Sequence, residues 1–225
     1  MSCLDATTVA EREAAARSIA NLATSAGNQS ELASCIPRLC ELAVGFDVAG
    51  PEHGCRCMAL QALQNMSLSD EYHEAITAPP HPASATVIEA LTRPSLDREL
   101  TLRALRVLVN LASNAEMAPF LVNGGVLPAL SETIARHGMD DVDVLRKVLT
   151  AAAYVATDHR AAAALEQAKA PLCEQLVALQ VHPDDEVRAW AIKAYGLIFA
   201  TVLFHSPGPG AEAGSAGAAL PAPHG

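Results

Sequence analysis

The chain has 225 residues, 51% of them apolar and only 4% aromatic, with a formal net charge of −10 and a pI near 5.2. That length supports one large domain or two small ones with a substantial core. The acidic balance excludes general nucleic-acid binding, which needs a basic face. The Ala- and Leu-rich, aromatic-poor mixture favours closely packed helices over sheets.

The chain opens on "MSCLDATTVAEREAAAR", which is polar and lacks the apolar stretch of about 7–15 residues that a secretory signal needs. Cys3, Cys35, Cys40, Cys55, Cys57 and Cys173 are therefore read as small hydrophobes in a reducing compartment. Residues 1–12 form an N-terminal segment, and a repeated pattern occupies 13–205.

Its first copy, "ARSIANLAT", ends at Thr24, and "SCIPRL" (Ser34–Leu39) follows with a proline placed to open a helix. Next stands "HGCRC" (His53–Cys57). Its Cys-x-Cys spacing is not the usual Cys-x-x-Cys knuckle and no second pair follows at finger spacing, so it reads as incidental, with no metal and no cofactor expected. The second copy, "CMALQALQNMS", ends at Ser67. After it "APPHPAS" (Ala78–Ser84) must be an extended break, because clustered prolines cannot continue a helix.

The third copy, "RALRVLVNLAS", carries Asn110 inside an aliphatic run. A buried, unpaired amide would cost about 1–3 kcal/mol, so Asn110 needs a partner or an outward position. "NGGVLPAL" (Asn123–Leu130) then supplies a Gly pair to end one helix and Pro128 in the first turn of the next. The fourth copy, "RKVLTAAAYVAT", ends at Thr157; "PDDEV" (Pro183–Val187) gives an acidic helix start, and a divergent fifth, "RAWAIKAYGLIFA", ends at Ala200. Residues 206–225 have no periodicity, and their Pro, Gly and Ala content reads as a disordered tail.

Aligned on Asn110, the copies place Asn21, Asn65, Asn110, Tyr154 and Leu197 in one column, at intervals of 44, 45, 44 and 43. Such a period belongs to two- and three-helix solenoid units. One unit divides into helices through "AEMAPFLV", "VLPALSETIAR" and "DVLRKVLTAAAYVA". The pattern, above all "LVNLASNAEMAPFLVNGGVLPAL", resembles the armadillo repeat, with the Asn on the third helix. It implies an all-α, right-handed α-solenoid of about four units plus a partial fifth.

The ordered succession of "NLATSAGNQSELASCIPRLCE", "ALQALQNMSLSDEYHEAI", "LRALRVLVNLASNAEMAPFLVNGGV", "VLRKVLTAAAYVA" and "LVALQVHPDDEVRAWAIKAYG" is similar to one armadillo block. That block is shared by the X-linked armadillo-repeat-containing proteins, their autosomal relatives and the G-protein-coupled-receptor-associated sorting proteins. The likeness implies work in mitochondrial distribution or trafficking. Those relatives carry an N-terminal hydrophobic anchor, and residues 1–60 here hold none. The expectation is a cytoplasmic chain that reaches the mitochondrial outer surface, if at all, through a partner.

In armadillo stacks the third helices line the concave face. One turn before the Asn column lie Arg17, Gln61, Arg106, Thr150 and Lys193, so the pairs Arg17/Asn21, Gln61/Asn65, Arg106/Asn110 and Thr150/Tyr154 share helix faces, with Lys193 at the end. A carboxamide can bond the C=O and N–H of an extended peptide, or the backbone of the adjacent repeat; both roles stay open. Arg17 and Arg106 either face a ligand or pair with carboxylates such as Glu13 or Glu99. Importin-alpha-like capture of basic signals requires Trp where this chain has Arg, Gln, Arg, Thr and Lys, so neutral or acidic protein segments are the expected partners.

Enzyme readings lack support: there is no Gly-rich phosphate loop, nucleophile elbow or H-E-x-x-H. Asp158-His159 and Asp140-Asp141 read as helix caps. "AYGLIFATVLF" (Ala194–Phe204), at eleven residues, is a core-helix length rather than a membrane span. It either turns inward or presents Ile198, Val202 and Phe204 to a partner or a second copy. The leading function is a non-enzymatic scaffold; the alternative is a structural subunit packed into a larger assembly through that apolar helix.

Overall fold

The computed structural model describes residues 3–5, 8–44, 52–69, 72–73, 83–92, 97–168 and 170–205. The first helix, α1 (Val9–Leu22), starts from a Thr8–Glu11 capping box. The Thr8 hydroxyl accepts the Glu11 amide at 3.3 Å, and the Glu11 carboxylate accepts the Thr8 amide and hydroxyl. The repeat domain therefore begins before the expected boundary at residue 13, and Leu4, in a short turn of 3-10 helix, is already buried.

Eleven further helices follow among the described residues: α2 (Ala26–Leu32), α3 (Ile36–Val44), α4 (His53–Met66), α5 (Ala83–Thr92), α6 (Arg98–Ser113), α7 (Ala118–Asn123), α8 (Val126–His137), α9 (Val142–Val155), α10 (Ala162–Ala168), α11 (Ala170–Leu179) and α12 (Asp185–His205). The proline positions hold: Pro37 and Pro128 lie in the first turns of α3 and α8. Gly125, at φ 88°, makes the left-handed turn into α8, a conformation that costs an L-residue more than glycine. The expected extended break lies outside the described residues up to 82, whereas Ala83 and Ser84 already belong to α5. The expected disordered tail lies outside them altogether.

The helices form two rows. In one, the row of each unit's third helix and hence the third row, α1, α4, α6, α9 and α12 pack each on the next; in the other, the row of second helices, α3, α5, α8 and α11 do the same. The short helices α7 and α10 close the corner between them. One continuous core of Leu, Val, Ile and Ala runs the length of the stack. This is an all-α solenoid, with nearest-neighbour packing between units. Among the described residues α1 stands as a third helix with no first and second helix before it.

Polar side chains stitch each unit to the one before. Arg136 donates to the Leu91 carbonyl (2.8 Å), Gln175 to Ser131 (3.0 Å) and Thr201 to Ala156 (2.6 Å). His73, buried, donates from Nε2 to the Ser67 carbonyl at 2.7 Å, which leaves Nδ1 to accept the Asn114 amide at 3.2 Å. Each bond satisfies a helix-end carbonyl or a buried polar group that would otherwise be costly.

Two expectations for the last helix change. Ile198 (0% exposed) and Val202 face inward against the stack, and only Phe204 of the expected trio is exposed. The outward stripe is Ile192, Phe199 and Leu203, with Phe204 beside it. The helix also runs for 21 residues and holds an 18-residue window of mean hydropathy 1.5, long and apolar enough to cross a membrane by length and composition. Counting only the uninterrupted apolar stretch misses this, because Lys193 and Arg188 fall within a helix that continues through them. Its inward face nonetheless packs as the last third-row helix, on α9, α10 and α11.

Candidate functional site

A groove of about 470 Å³ lies along the third-row helices at the C-terminal half of the stack. Leu102 and Arg106 come from α6; Asp143, Arg146, Lys147 and Thr150 from α9; Glu186 and Trp190 from α12. Each set recurs at three- or four-residue steps, so each helix turns one polar stripe to the groove. Trp190 meets Tyr154 edge-on, with ring centroids 6.4 Å apart, and carries the Lys193 ammonium 4.4 Å from its own centroid.

Charge at the groove is mostly committed. Arg146 bridges Asp184 and Glu186, both at 3.0 Å, and Arg98 bridges Asp141 and Asp143, both at 2.7 Å. Arg103 holds Glu99 at 2.8 Å and donates to the Gln61 carbonyl oxygen at 2.6 Å. Arg106 and Lys147 are the exceptions: neither has a carboxylate in ion-pair reach among the described residues. Of the two alternatives for Arg106, the pair with Glu99 is not formed: Arg103 takes Glu99, one helical turn away, whereas Arg106 lies nearly two turns away. Arg17 does pair with Glu13, at 2.5 Å.

The Asn column has a defined role at two of its rungs. Asn65 donates to the Ala20 carbonyl of the preceding unit at 2.8 Å and accepts from Gln61 at 3.1 Å. Asn110 donates to the Gln64 carbonyl (3.2 Å) and the Ser67 hydroxyl (3.0 Å). Both amide groups thus tie their helix to the third helix upstream. Asn21 is exposed at the start of the stack, and Thr150 returns its hydroxyl to the Arg146 carbonyl at 2.7 Å while lining the groove. The nine residues singled out from sequence are spread along α1, α4, α6, α9 and α12. Arg106 and Thr150 line the groove with Tyr154 and Lys193 against Trp190, Gln61 and Asn65 belong to the Arg103 network, and Arg17 and Asn21 lie on α1.

Sequence reasoning missed Leu102, Lys147 and Trp190 as groove residues. Their signal was available, since they extend the stripes of Arg106, Tyr154 and Lys193 by one or two helical turns. It also missed a row of bonds between successive third-row helices: Arg12–Glu52 (2.8 Å), Arg98–Asp141 and Arg146–Asp184 are ion pairs, and His53 hydrogen-bonds Asp97 at 2.6 Å. Three of the acids also receive the amides that begin the next helix: Leu100 on Asp97, Val144 on Asp141 and Val187 on Asp184. The Arg98 guanidinium beside Asp141 holds that carboxyl below the usual range. Burial works against ionisation of Asp97, but the Leu100 amide and His53 outweigh it and keep its carboxyl low as well.

A stacked array of three-helix units with a polar groove along one row defines the class: an α-solenoid protein-binding scaffold. The Armadillo-like family matches residues 1–179, and the chain belongs to that family. Among solved structures it is similar to an engineered protein, target OR329, at 25% identity and a TM-score of 0.72, over 87% of this chain and 76% of that one. A second engineered protein, target OR497, is 24% identical with a TM-score of 0.72; the match covers 89% of this chain and 49% of that one. The designed armadillo repeat protein YIII(Dq)4CqI shares the fold at 18% identity and a TM-score of 0.53, over 87% and 96%. A comparison with curated proteins found no match.

Proposed function

We propose that the chain is a non-enzymatic adaptor that holds an extended, neutral or acidic segment of a partner protein along the groove of α6, α9 and α12. The supporting observation is the pair Arg106 and Lys147, two cations without carboxylate partners among the described residues, in a groove whose other charges are matched. A carboxylate on the partner would neutralise them at modest desolvation cost, and the Trp190 face offers an apolar anchor beside them. The likeness to the sorting-protein block supports a more specific version: a cytoplasmic adaptor in organelle positioning or membrane trafficking, held at the mitochondrial outer surface through its partner.

Proximity labelling with wild type against Arg106→Glu, Lys147→Glu tests this. The charge-reversed chain is expected to lose its groove partners by tenfold or more in recovered signal while keeping its melting temperature. An unchanged partner list would refute groove capture, and a wild-type list without mitochondrial-surface proteins would refute the location. Asn65→Ala, Asn110→Ala gives the opposite pattern: each change costs about 1 kcal/mol of stability through a lost inter-unit bond and leaves the partners in place.

A second reading rests on α12. Ile192, Phe199, Leu203 and Phe204 form an exposed apolar stripe on the last third-row helix, the kind of surface another subunit covers. In this reading the chain is a structural subunit of a larger assembly. Phe199→Asp, Leu203→Asp is expected to release it from that assembly in sedimentation velocity; an unchanged profile would remove the reading.

A further inference from the structure

The geometry points to a divalent-cation site of the zinc class, built from His53, Cys57 and Glu99 across the junction of α4 and α6. The sequence directed attention to the wrong pair. In "HGCRC" the residues that share a helix face are His53 and Cys57, four apart, whereas Cys55 turns away and donates its thiol to the Val9 carbonyl at 3.3 Å. Cys57 Sγ lies 3.8 Å from His53 Nδ1 and 3.9 Å from Nε2, beside the ring. Glu99, on the neighbouring helix, adds a carboxylate oxygen, and one ligand atom from each of the three lies within 4.8 Å of the others.

With zinc bonds of about 2.0–2.3 Å, two ligand atoms of a tetrahedral ion sit about 3.4–3.6 Å apart. The sulfur–nitrogen distance is close to that edge, and a turn of the His53 ring with an inward swing of the Glu99 side chain completes the set. Both Arg103 bonds fall on Glu99 Oε1, which leaves Oε2 to serve as the ligand, and Arg103 also keeps a 2.6 Å bond to Gln61.

A second observation comes from Asp97. Its Oδ2 stands 2.6 Å from His53 Nε2, so the ring donates there and Nδ1 keeps the free lone pair, which a turn of the ring brings onto Cys57. A carboxylate that fixes the tautomer of a histidine is the usual support behind a metal-ligating imidazole. The other three rungs of that row of bonds use arginine, which has no lone pair to give; His53 alone among them can serve as a ligand. Thiolate, imidazole and carboxylate together suit zinc over magnesium or calcium, which prefer all-oxygen sets.

Cys57 is buried, and burial, reinforced by the Glu99 charge, pushes its thiol up to about 11. The ion must therefore displace the thiol proton, which leaves to solvent as the Cys57–metal bond forms. Three protein ligands leave a fourth position for water. Because the ligands come from two units, the ion acts as a clamp between the second and third third-row helices.

The test uses the full chain, stripped with a chelator and titrated with cobalt(II), whose thiolate charge-transfer absorption reports sulfur ligation. One equivalent is expected, displaced by zinc, with a raised melting temperature in the zinc form. Cys57→Ser should weaken cobalt binding by about 100-fold or more, and Asp97→Asn by about 10-fold. Cys55→Ser and Cys173→Ser should leave it unchanged. His53→Gln, at a half-exposed position that tolerates a polar side chain, must also abolish the band with helicity intact. Absence of a thiolate–cobalt band, or a band that survives either Cys57→Ser or His53→Gln, overturns the proposal.

Discussion

Replacing Leu149 with alanine is expected to lower the free energy of unfolding by about 2–5 kcal/mol. Leu149 is fully buried on α9, which packs against α6 on one side, α12 on the other and α8 beneath. Rearrangement of one neighbour is not expected to fill the cavity, because α9 packs against three helices. Burial elsewhere is as complete, but in a solenoid the location matters: each unit touches only the units before and after it, so a cavity here weakens the connection between the two halves. Urea unfolding should show a lower midpoint and a transition that broadens or splits as the α9–α12 end detaches. A loss below about 1 kcal/mol would show that the stack closes around the cavity.

Arg56→Ala is expected to cost about 3–5 kcal/mol. Arg56 is 1% exposed, the largest fully buried side chain among the described residues, and it donates from Nε to the Ala43 carbonyl at 3.3 Å. That carbonyl lies in the last turn of α3, where helix carbonyls have no intrahelical donor. The alanine variant would lose the stem packing, leave a cavity and strand the carbonyl. Arg56→Met keeps most of the packing volume, so it should recover part of the loss. Thermal unfolding of the two variants side by side separates packing from hydrogen bonding. Equal losses would mean that the guanidinium, and not the stem, carries the contribution.

Much of this architecture was readable before any coordinates. The steady spacing of Asn21, Asn65, Asn110, Tyr154 and Leu197 follows from units that each bury one apolar face on the next, and Pro37, Gly125 and Pro128 mark turns by backbone geometry alone. The start of α1 was readable too, since Thr8 and Glu11 form a capping box; it was overlooked because the apolar repeat begins later. The groove was only half legible. Arg106 and Thr150 stand one turn before the Asn column, whereas Lys147 and Trp190 stand two turns before it, beyond the turn singled out from the sequence.

By itself the sequence determined the helical class, the unit length and the turns at Pro37, Gly125 and Pro128, because local propensity, backbone geometry and the period of apolar residues act over a few turns. Tertiary structure decided which polar groups meet. The direction of the Asn65 and Asn110 amides, the pairing of Glu99 with Arg103 and not Arg106, and the inward turn of Ile198 and Val202 all depend on the rotation of one helix against another. So does the meeting of His53 and Cys57 with Glu99, residues more than forty positions apart that only the packing of α4 on α6 brings within ligand reach.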